Sequence, residues 1–208
     1  IKLPVMFERK YQEYGLVDVH QFDNSIVVDL KYGTTENFMG EIMYENSKLA
    51  YLEKDLALAI ANVNRELKKI DPTLSIIIYD AARPISVQEK MFNYVKGTIL
   101  EQYVANPNGE VRGGFHNYGL AVDISIVDSD NKMLDMGTGY DSFDELAHVG
   151  GESELVKRGK LTYEAYKNRM MLYYITSKHG LLPYPYEWWH YQLCQEERDK
   201  LRYKLLDF

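Results

Sequence analysis

Five residues of this chain have the types and spacings that hydrolytic chemistry needs: Arg83, His116, Asp123, Glu187 and His190. His116 and Asp123 share the stretch GGFHNYGLAVDI, and Glu187 and His190 bracket two tryptophans in EWWH. Each pair also has an ordinary explanation. His116 can be a loop histidine bonded to Asp123, and Glu187 with His190 can form a surface ion pair while Trp188 and Trp189 anchor the core. One chemistry uses them all. Catalytic zinc takes three protein ligands, often two nitrogens and one oxygen, and keeps a fourth position for water. His116, Asp123 and His190 meet that count. Glu187 is then a nearby carboxylate able to take the proton of an attacking water, and Arg83 a fixed cation able to hold a developing oxyanion. Competing nucleophiles lack support, because Cys194 has no signature around it and no serine lies in a nucleophile elbow. The other histidines, His20, His148 and His179, sit in polar or helix-end contexts that suit solvation or capping.

Such a site needs a scaffold. Leu120 to Val127 reads as a strand in which Val122, Ile124 and Ile126 share one face, while Ala121, Asp123 and Ser125 share the other. The first face is core and the second is the small, polar floor of a site. A carboxylate there costs free energy unless it is paired. Ser25 to Phe38 reads as a strand and loop. Apolar residues from Leu49 to Ile70 recur every three or four positions, the stripe of an amphipathic helix that Asp71-Pro72 ends. Ser75 to Tyr79 is a buried strand leading to Arg83, which the following Pro84 keeps extended at the strand's mouth. Ser86 and Glu89 have capping-box spacing, so a second helix is expected from there to about Tyr103. NPNGEVRGG is a loop, and a polar, Gly-containing stretch runs from Asp128 to Gly159. A third helix is expected from about Thr162 to His179 with Gly180 as its cap. LLPYPYEWWHYQL is extended, and EERDKLRYKLL closes with a helix. Helices and strands do not alternate strictly, which favours an α+β fold over a doubly wound sheet.

Composition narrows the partners. The chain has 208 residues, 46% hydrophobic and 26% charged. It is expected to form a single domain, 1–208, that buries roughly 70% of its unfolded surface. Acidic residues (31) outnumber basic ones (24), giving a net charge of -7 with no Lys/Arg run, so nucleic acid is disfavoured as a partner. A lone cysteine allows no internal disulfide and no Cys-rich zinc site, leaving His and carboxylate as metal ligands. No apolar stretch approaches the length of a membrane span. The first residue is Ile1 rather than Met, which reads as a removed export signal or a trimmed chain, so an exported protein is expected, with the cytoplasm as the alternative.

At these residues the sequence resembles the zinc D-alanyl-D-alanine dipeptidases, relatives of the vancomycin-resistance dipeptidase within the wider D,D-peptidase and Hedgehog fold. GFHNYGLAVD nearly meets the family pattern of Ser-x-His followed by Gly, Ala and Asp, and EWWH matches its second motif. DLKYGTTENFMG, YDAARP and LDMGTGYDSF are also similar to family segments, so the likeness runs from about Val27 to His190. The resemblance implies a central, mostly antiparallel sheet flanked by helices. It implies one zinc ion per chain on His116, Asp123 and His190, with Glu187 as general base and then acid, and Arg83 stabilising the tetrahedral intermediate. Asp141 matches a position that helps to hold the substrate's ammonium group. Where the family has serine two residues before the first ligand, this chain has Gly114. A hydroxyl contact to the substrate carboxylate is therefore missing, although the Gly114 backbone N–H could remain. The implied substrate is the small dipeptide D-Ala-D-Ala. The alternatives are a D,D-carboxypeptidase or L,D-endopeptidase acting on peptidoglycan stem peptides, or a zinc-containing binding module without catalysis. That last case would be marked by loss of the base or the arginine, and both Glu187 and Arg83 are present.

Overall fold

A computed structural model describes residues 4–44, 47–193 and 196–208. In chain order its helices and strands are α1 (Pro4–Glu13), β1 (Val17–Asp18), β2 (Val27–Val28), β3 (Tyr51–Leu52), α2 (Lys54–Ile70), β4 (Ser75–Asp80), α3 (Ile85–Val95), β5 (Ala121–Val127), α4 (Glu152–Lys157), α5 (Tyr163–Ser177), β6 (Leu182–Tyr184) and β7 (Glu187–Gln192). The main sheet has the order β2-β4-β5-β7-β6. Only the β2–β4 pair is parallel, so the sheet is mostly antiparallel and the fold is α+β, as expected. A small second sheet pairs β1 with β3.

The stripe of α2 supplies the main core. Leu56, Ile60, Val63 and Leu67 are fully buried, and they share one cluster with Ile76 and Ile78 of β4, Val122, Ile124 and Ile126 of β5, and Leu172 and Ile175 of α5. The core face of β5 is thus the one its alternation predicts. The opposite face, with Asp123 and Ser125, is free to build a site. Among the described residues no helix is long and apolar enough to cross a membrane.

Four expected boundaries are corrected. The first helix starts at Lys54 rather than Leu49, because Tyr51 and Leu52 are drawn into β3, and Glu53 caps the helix by accepting from the Asp55 N–H. The second helix starts at Ile85 and ends at Val95, not Tyr103. Gly97 breaks it at φ +79, and Ile99–Tyr103 forms a separate 3-10 turn capped by Thr98. The Ser86–Glu89 capping box does not form. Instead the first free N–H groups of α3 go to the far end of the chain: Ile85 N–H donates to Leu206 O at 2.9 Å and Ser86 N–H to Phe208 O at 3.2 Å. The closing segment is a 3-10 helix, Glu197–Arg202, followed by extended chain rather than an α-helix. The helix expected from Thr162 is α5, capped by the Thr162 hydroxyl, and Gly180 takes the left-handed conformation just beyond its end. Cys194 lies outside the described residues.

Candidate metal centre and catalytic pocket

Three neighbouring strands set the site. The registers place Asp80 of β4 opposite Asp123 of β5, and Asp123 opposite His190 of β7, so the three residues lie side by side across the sheet. Asp80 reaches this row through a β-bulge. The β4–β5 register shifts between Ile78 and Asp80, and regular alternation would instead have placed Asp80 with Ile76 and Ile78 on the core face. A second irregularity, between Pro183 and Tyr184 of β6, bends β7 so that Glu187 and His190 approach each other despite their odd spacing. His116 comes from a 3-10 turn, Phe115–Tyr118, which Gly119 ends at φ +70 before β5 begins. Any larger residue at position 119 would be strained in that conformation and would press on Leu16, 2.8 Å from the added carbon.

His116, Asp123 and His190 are all buried. Among the described residues they form the group of His, Cys and carboxylate side chains able to hold a metal ion. His116 Nε2 lies 3.2 Å from Asp123 Oδ1 and 3.2 Å from His190 Nδ1, and His190 Nδ1 lies 3.1 Å from Asp123 Oδ1. The partners of the other ring nitrogens decide the tautomers. His116 Nδ1 faces the Ala81 carbonyl at 2.7 Å and His190 Nε2 faces Gln192 Oε1 at 3.3 Å, so each of these nitrogens donates. The nitrogens that face Asp123 are then the ones placed to bind a metal ion. Three donor atoms thus converge within about 3.2 Å of one another, a set that a cation could share. The spacings are close to the edge of a tetrahedron built on zinc bonds of about 2.0–2.1 Å, roughly 3.3–3.4 Å. The donor set therefore fits zinc. Burial by itself raises the Asp123 carboxyl, but the two imidazoles outweigh it and hold the group well below the usual carboxylate range. Its second oxygen accepts from the Tyr140 hydroxyl at 2.8 Å.

Around this centre lies a cavity of about 590 Å³ that reaches Arg83, Glu187, Asp141 and Gly114 as well as the three candidate ligands. Every sequence-predicted site residue is thus brought to one pocket. Glu187 Oε2 stands 3.7 Å from His190 Nδ1, so it is no surface ion pair. Burial raises its carboxyl; His190 pulls the other way, and Asp123 and Asp141 add to the rise. Arg83 is buried against Asp80, donating from Nε to Asp80 Oδ2 at 3.0 Å and also from Nη2, while Nη1 donates to Gln88 Oε1 at 2.9 Å. A guanidinium carries five N–H groups, so two donors remain for a ligand. The Tyr44 hydroxyl also donates to Asp80.

Asp141 accepts from the Tyr32 hydroxyl at 3.1 Å and from the Phe38 N–H at 3.1 Å. Burial, with repulsion from Asp123, pushes its carboxyl from 3.8 up to about 7. The folded protein therefore keeps a proton that the unfolded chain releases near 3.8, and this destabilises the fold progressively as pH rises from there to about 7. In chelator-treated protein without substrate, the stability advantage of Asp141→Asn over wild type is expected to grow across that window and then level off. Urea midpoints measured between pH 4 and pH 8 check this; a pH-independent difference would contradict it. Asn suits the test because it tolerates the left-handed backbone of Asp141, φ +58.

Gly114 needs a correction. Its N–H is not free for a substrate carboxylate, because it donates to Asn117 Oδ1 at 2.8 Å. A Cβ at this position would lie 3.2 Å from Ala105 Cβ, which makes even a serine tight. Sequence reasoning missed Asp80, Gln88, Tyr32 and Tyr140, which orient the site. The one available signal was an aspartate three residues before Arg83 at the end of a buried strand. Of the remaining histidines, His20 meets Asp18 at 3.3 Å and the Ile26 carbonyl at 3.0 Å. His148 and His179 have Nε2 atoms that are buried without a hydrogen-bond partner, so neither is solvated there.

An α+β fold that gathers two imidazoles and a carboxylate beside a second carboxyl and an arginine defines the class of metallopeptidases. Comparison with known proteins narrows this: the family profile described as D-ala-D-ala dipeptidase matches residues 12–207, and the chain belongs to that family. It is similar to the D-alanyl-D-alanine dipeptidase of Escherichia coli strain K12, 29% identical over 180 residues that cover 86% of this chain and 85% of that protein. It is also similar to the D-alanyl-D-alanine dipeptidase of Enterococcus faecalis, 24% identical over 205 residues, covering 88% and 94%. The protein of that name from Synechocystis is 27% identical over 153 residues, covering 60% and 62%.

Proposed function

We propose that the chain acts as a single zinc peptidase domain that hydrolyses D-Ala-D-Ala to two D-alanines. The observation that carries this reading is the convergence of three metal-binding donor atoms, 3.1–3.2 Å apart, beside Glu187 and Arg83. His116, Asp123 and His190 would hold one zinc ion. When bound, zinc supplies a Lewis acid that polarises the scissile carbonyl and strengthens water as a nucleophile at neutral pH.

The chain's own residues do the rest. Glu187, a carboxyl raised by burial and therefore a stronger base than an exposed one, takes a proton from the attacking water. It returns that proton to the leaving amine as the C–N bond breaks. The two unused N–H donors of Arg83 hold the negative charge that gathers on the carbonyl oxygen, and Asp80 and Gln88 keep the guanidinium in place. Asp141, held by Tyr32 and Phe38, binds the free ammonium of the substrate. With no hydroxyl and its N–H already given to Asn117, Gly114 offers the C-terminal residue no hydrogen bond.

The test compares D-Ala-D-Ala with its N-acetyl derivative, with and without a chelator. Blocking the amine removes the charge that Asp141 rewards and leaves a buried carboxyl unpaired. The acetylated dipeptide is expected to be cut at least about 100-fold less efficiently, about 2.7 kcal/mol in transition-state binding, and the chelator to stop both reactions. Equal cleavage of the acetylated dipeptide or of a stem pentapeptide would replace the dipeptidase with a carboxypeptidase.

A further inference from the structure

Arg169, on α5, is fully buried and takes no part in the chemistry above. Burying a guanidinium is costly unless its N–H groups find partners. Its Nε donates to the Met136 carbonyl at 2.7 Å and its Nη2 to the Leu146 carbonyl at 2.7 Å, while Nη1 is buried without a hydrogen-bond partner. These two carbonyls are the ends of one loop. Between them lie Tyr140, whose hydroxyl holds Asp123, and Asp141. Phe143 lies there too, closing the rim of the pocket against Phe38 and Tyr103 with ring centroids 5.3 and 5.1 Å away.

Neighbours reinforce the tie. Asn168 Nδ2 donates to the Asp135 carbonyl at 2.8 Å, and Trp188 Nε1 donates to Thr138 Oγ1 at 2.7 Å. The Arg169 guanidinium lies over the Trp188 ring, 5.7 Å from its centroid. Gly137 brings the loop so close that an added Cβ would sit 2.1 Å from Leu161 Cδ1, just before α5, and 3.5 Å from Arg169 Nη2 on it. Asp141 adopts a left-handed conformation that non-glycine residues disfavour, so something must hold it there.

We propose that Arg169 is the positioning residue of the 137–145 loop: by fastening both loop ends it aims Asp141 at the substrate amine and sets the preference for free dipeptides. This rests on the reading of Asp141 as the partner of the ammonium group. Trp188 shares the task, which gives the first tryptophan of EWWH a role beyond core packing.

The experiment uses zinc-loaded protein carrying Arg169→Lys, which keeps a charge but cannot reach both carbonyls, and Thr138→Val, a milder change that remains informative if the first fails to fold. Amide hydrogen exchange of 137–145 and steady-state kinetics on D-Ala-D-Ala and N-acetyl-D-Ala-D-Ala are measured beside Asp141→Asn. Exchange in the loop is expected to quicken by about tenfold in Arg169→Lys, KM for the free dipeptide to rise by about tenfold with kcat little changed, and the amine preference to narrow. Thr138→Val should shift each readout the same way by less. Unchanged exchange in both variants, or equal losses on both substrates, would overturn the proposal. An Asp141→Asn enzyme that keeps the full amine preference would instead overturn the ammonium contact, while the exchange data judge the tie independently.

Discussion

Glu187→Gln is expected to leave zinc bound while kcat falls by roughly 10² to 10⁴, the loss usual for a positioned general base. Glutamine keeps the shape of the side chain and its hydrogen-bonding reach but accepts no proton at neutral pH. Metal content should not change, because Glu187 is not among the three converging donors and stands 3.7 Å from His190 Nδ1. KM should change little, since the group acts on water rather than on the substrate's binding contacts. Besides the candidate ligand Asp123, two other carboxyls line the pocket, and neither is placed to replace it. Asp141 is held by Tyr32 and Phe38 on the amine side, and Glu197 is largely exposed and paired with Lys200. Turnover within about fivefold of wild type would move the base elsewhere.

Removing a ligand should have the largest effect of all. His116→Ala, Asp123→Ala and His190→Ala are each expected to reduce bound zinc from about one per chain to a small fraction and to abolish hydrolysis at ordinary zinc concentrations. Asp80 cannot stand in for a lost ligand, because Arg83 and Tyr44 occupy it. A thermal readout separates metal loss from misfolding. Zinc at about 100 times its Kd stabilises the wild type by about 2.7 kcal/mol. For a chain of this size that is roughly 5–10 °C in Tm. The variants should unfold near the Tm of chelated wild type and show no response to zinc. Full zinc occupancy in all three would rule out this ligand set.

The membership of the candidate site was legible in the sequence because it is carried by residue identity and spacing: His116 and His190 are two of five histidines, each at motif spacing from a carboxylate, and with Asp123 and Glu187 they line one pocket. The core face of β5 was legible as well, because β5 keeps its alternation, with Val122, Ile124 and Ile126 all in the main core. The residues that orient the site were not. Asp80 faces the centre only because a bulge reverses the alternation of β4, and a bulge leaves no periodic trace in sequence. Tyr140 reaches Asp123 from a different loop, and Gln88 meets Arg83 only because the corner between β4 and α3 turns the two side chains together, a geometry that only the folded structure supplies. The capping-box reading at Ser86 failed for a related reason. A local rule predicted a local cap, and a segment more than a hundred residues away provided the bonds. The overlong second helix reflects apolar spacing that continues past Gly97, where backbone conformation rather than pattern ends the helix.

That distant cap also fixes when the enzyme can become active. Arg83 sits at the corner between β4 and α3, its N–H bonded to the His116 carbonyl, and α3 takes its first two bonds from Leu206 and Phe208. Leu206 in turn donates its N–H to the carbonyl of Asn117, beside the candidate ligand His116. Chains emerge from the ribosome at about 5–20 residues per second, N-terminal end first. The early half can bury α2 against β4, yet the corner that carries Arg83 stays uncapped until residues 206–208 have been made. His190 and Glu187 arrive only shortly before. Contacts of such long sequence separation form late and slowly, so a nascent or truncated chain carries the core of this protein without its catalytic corner.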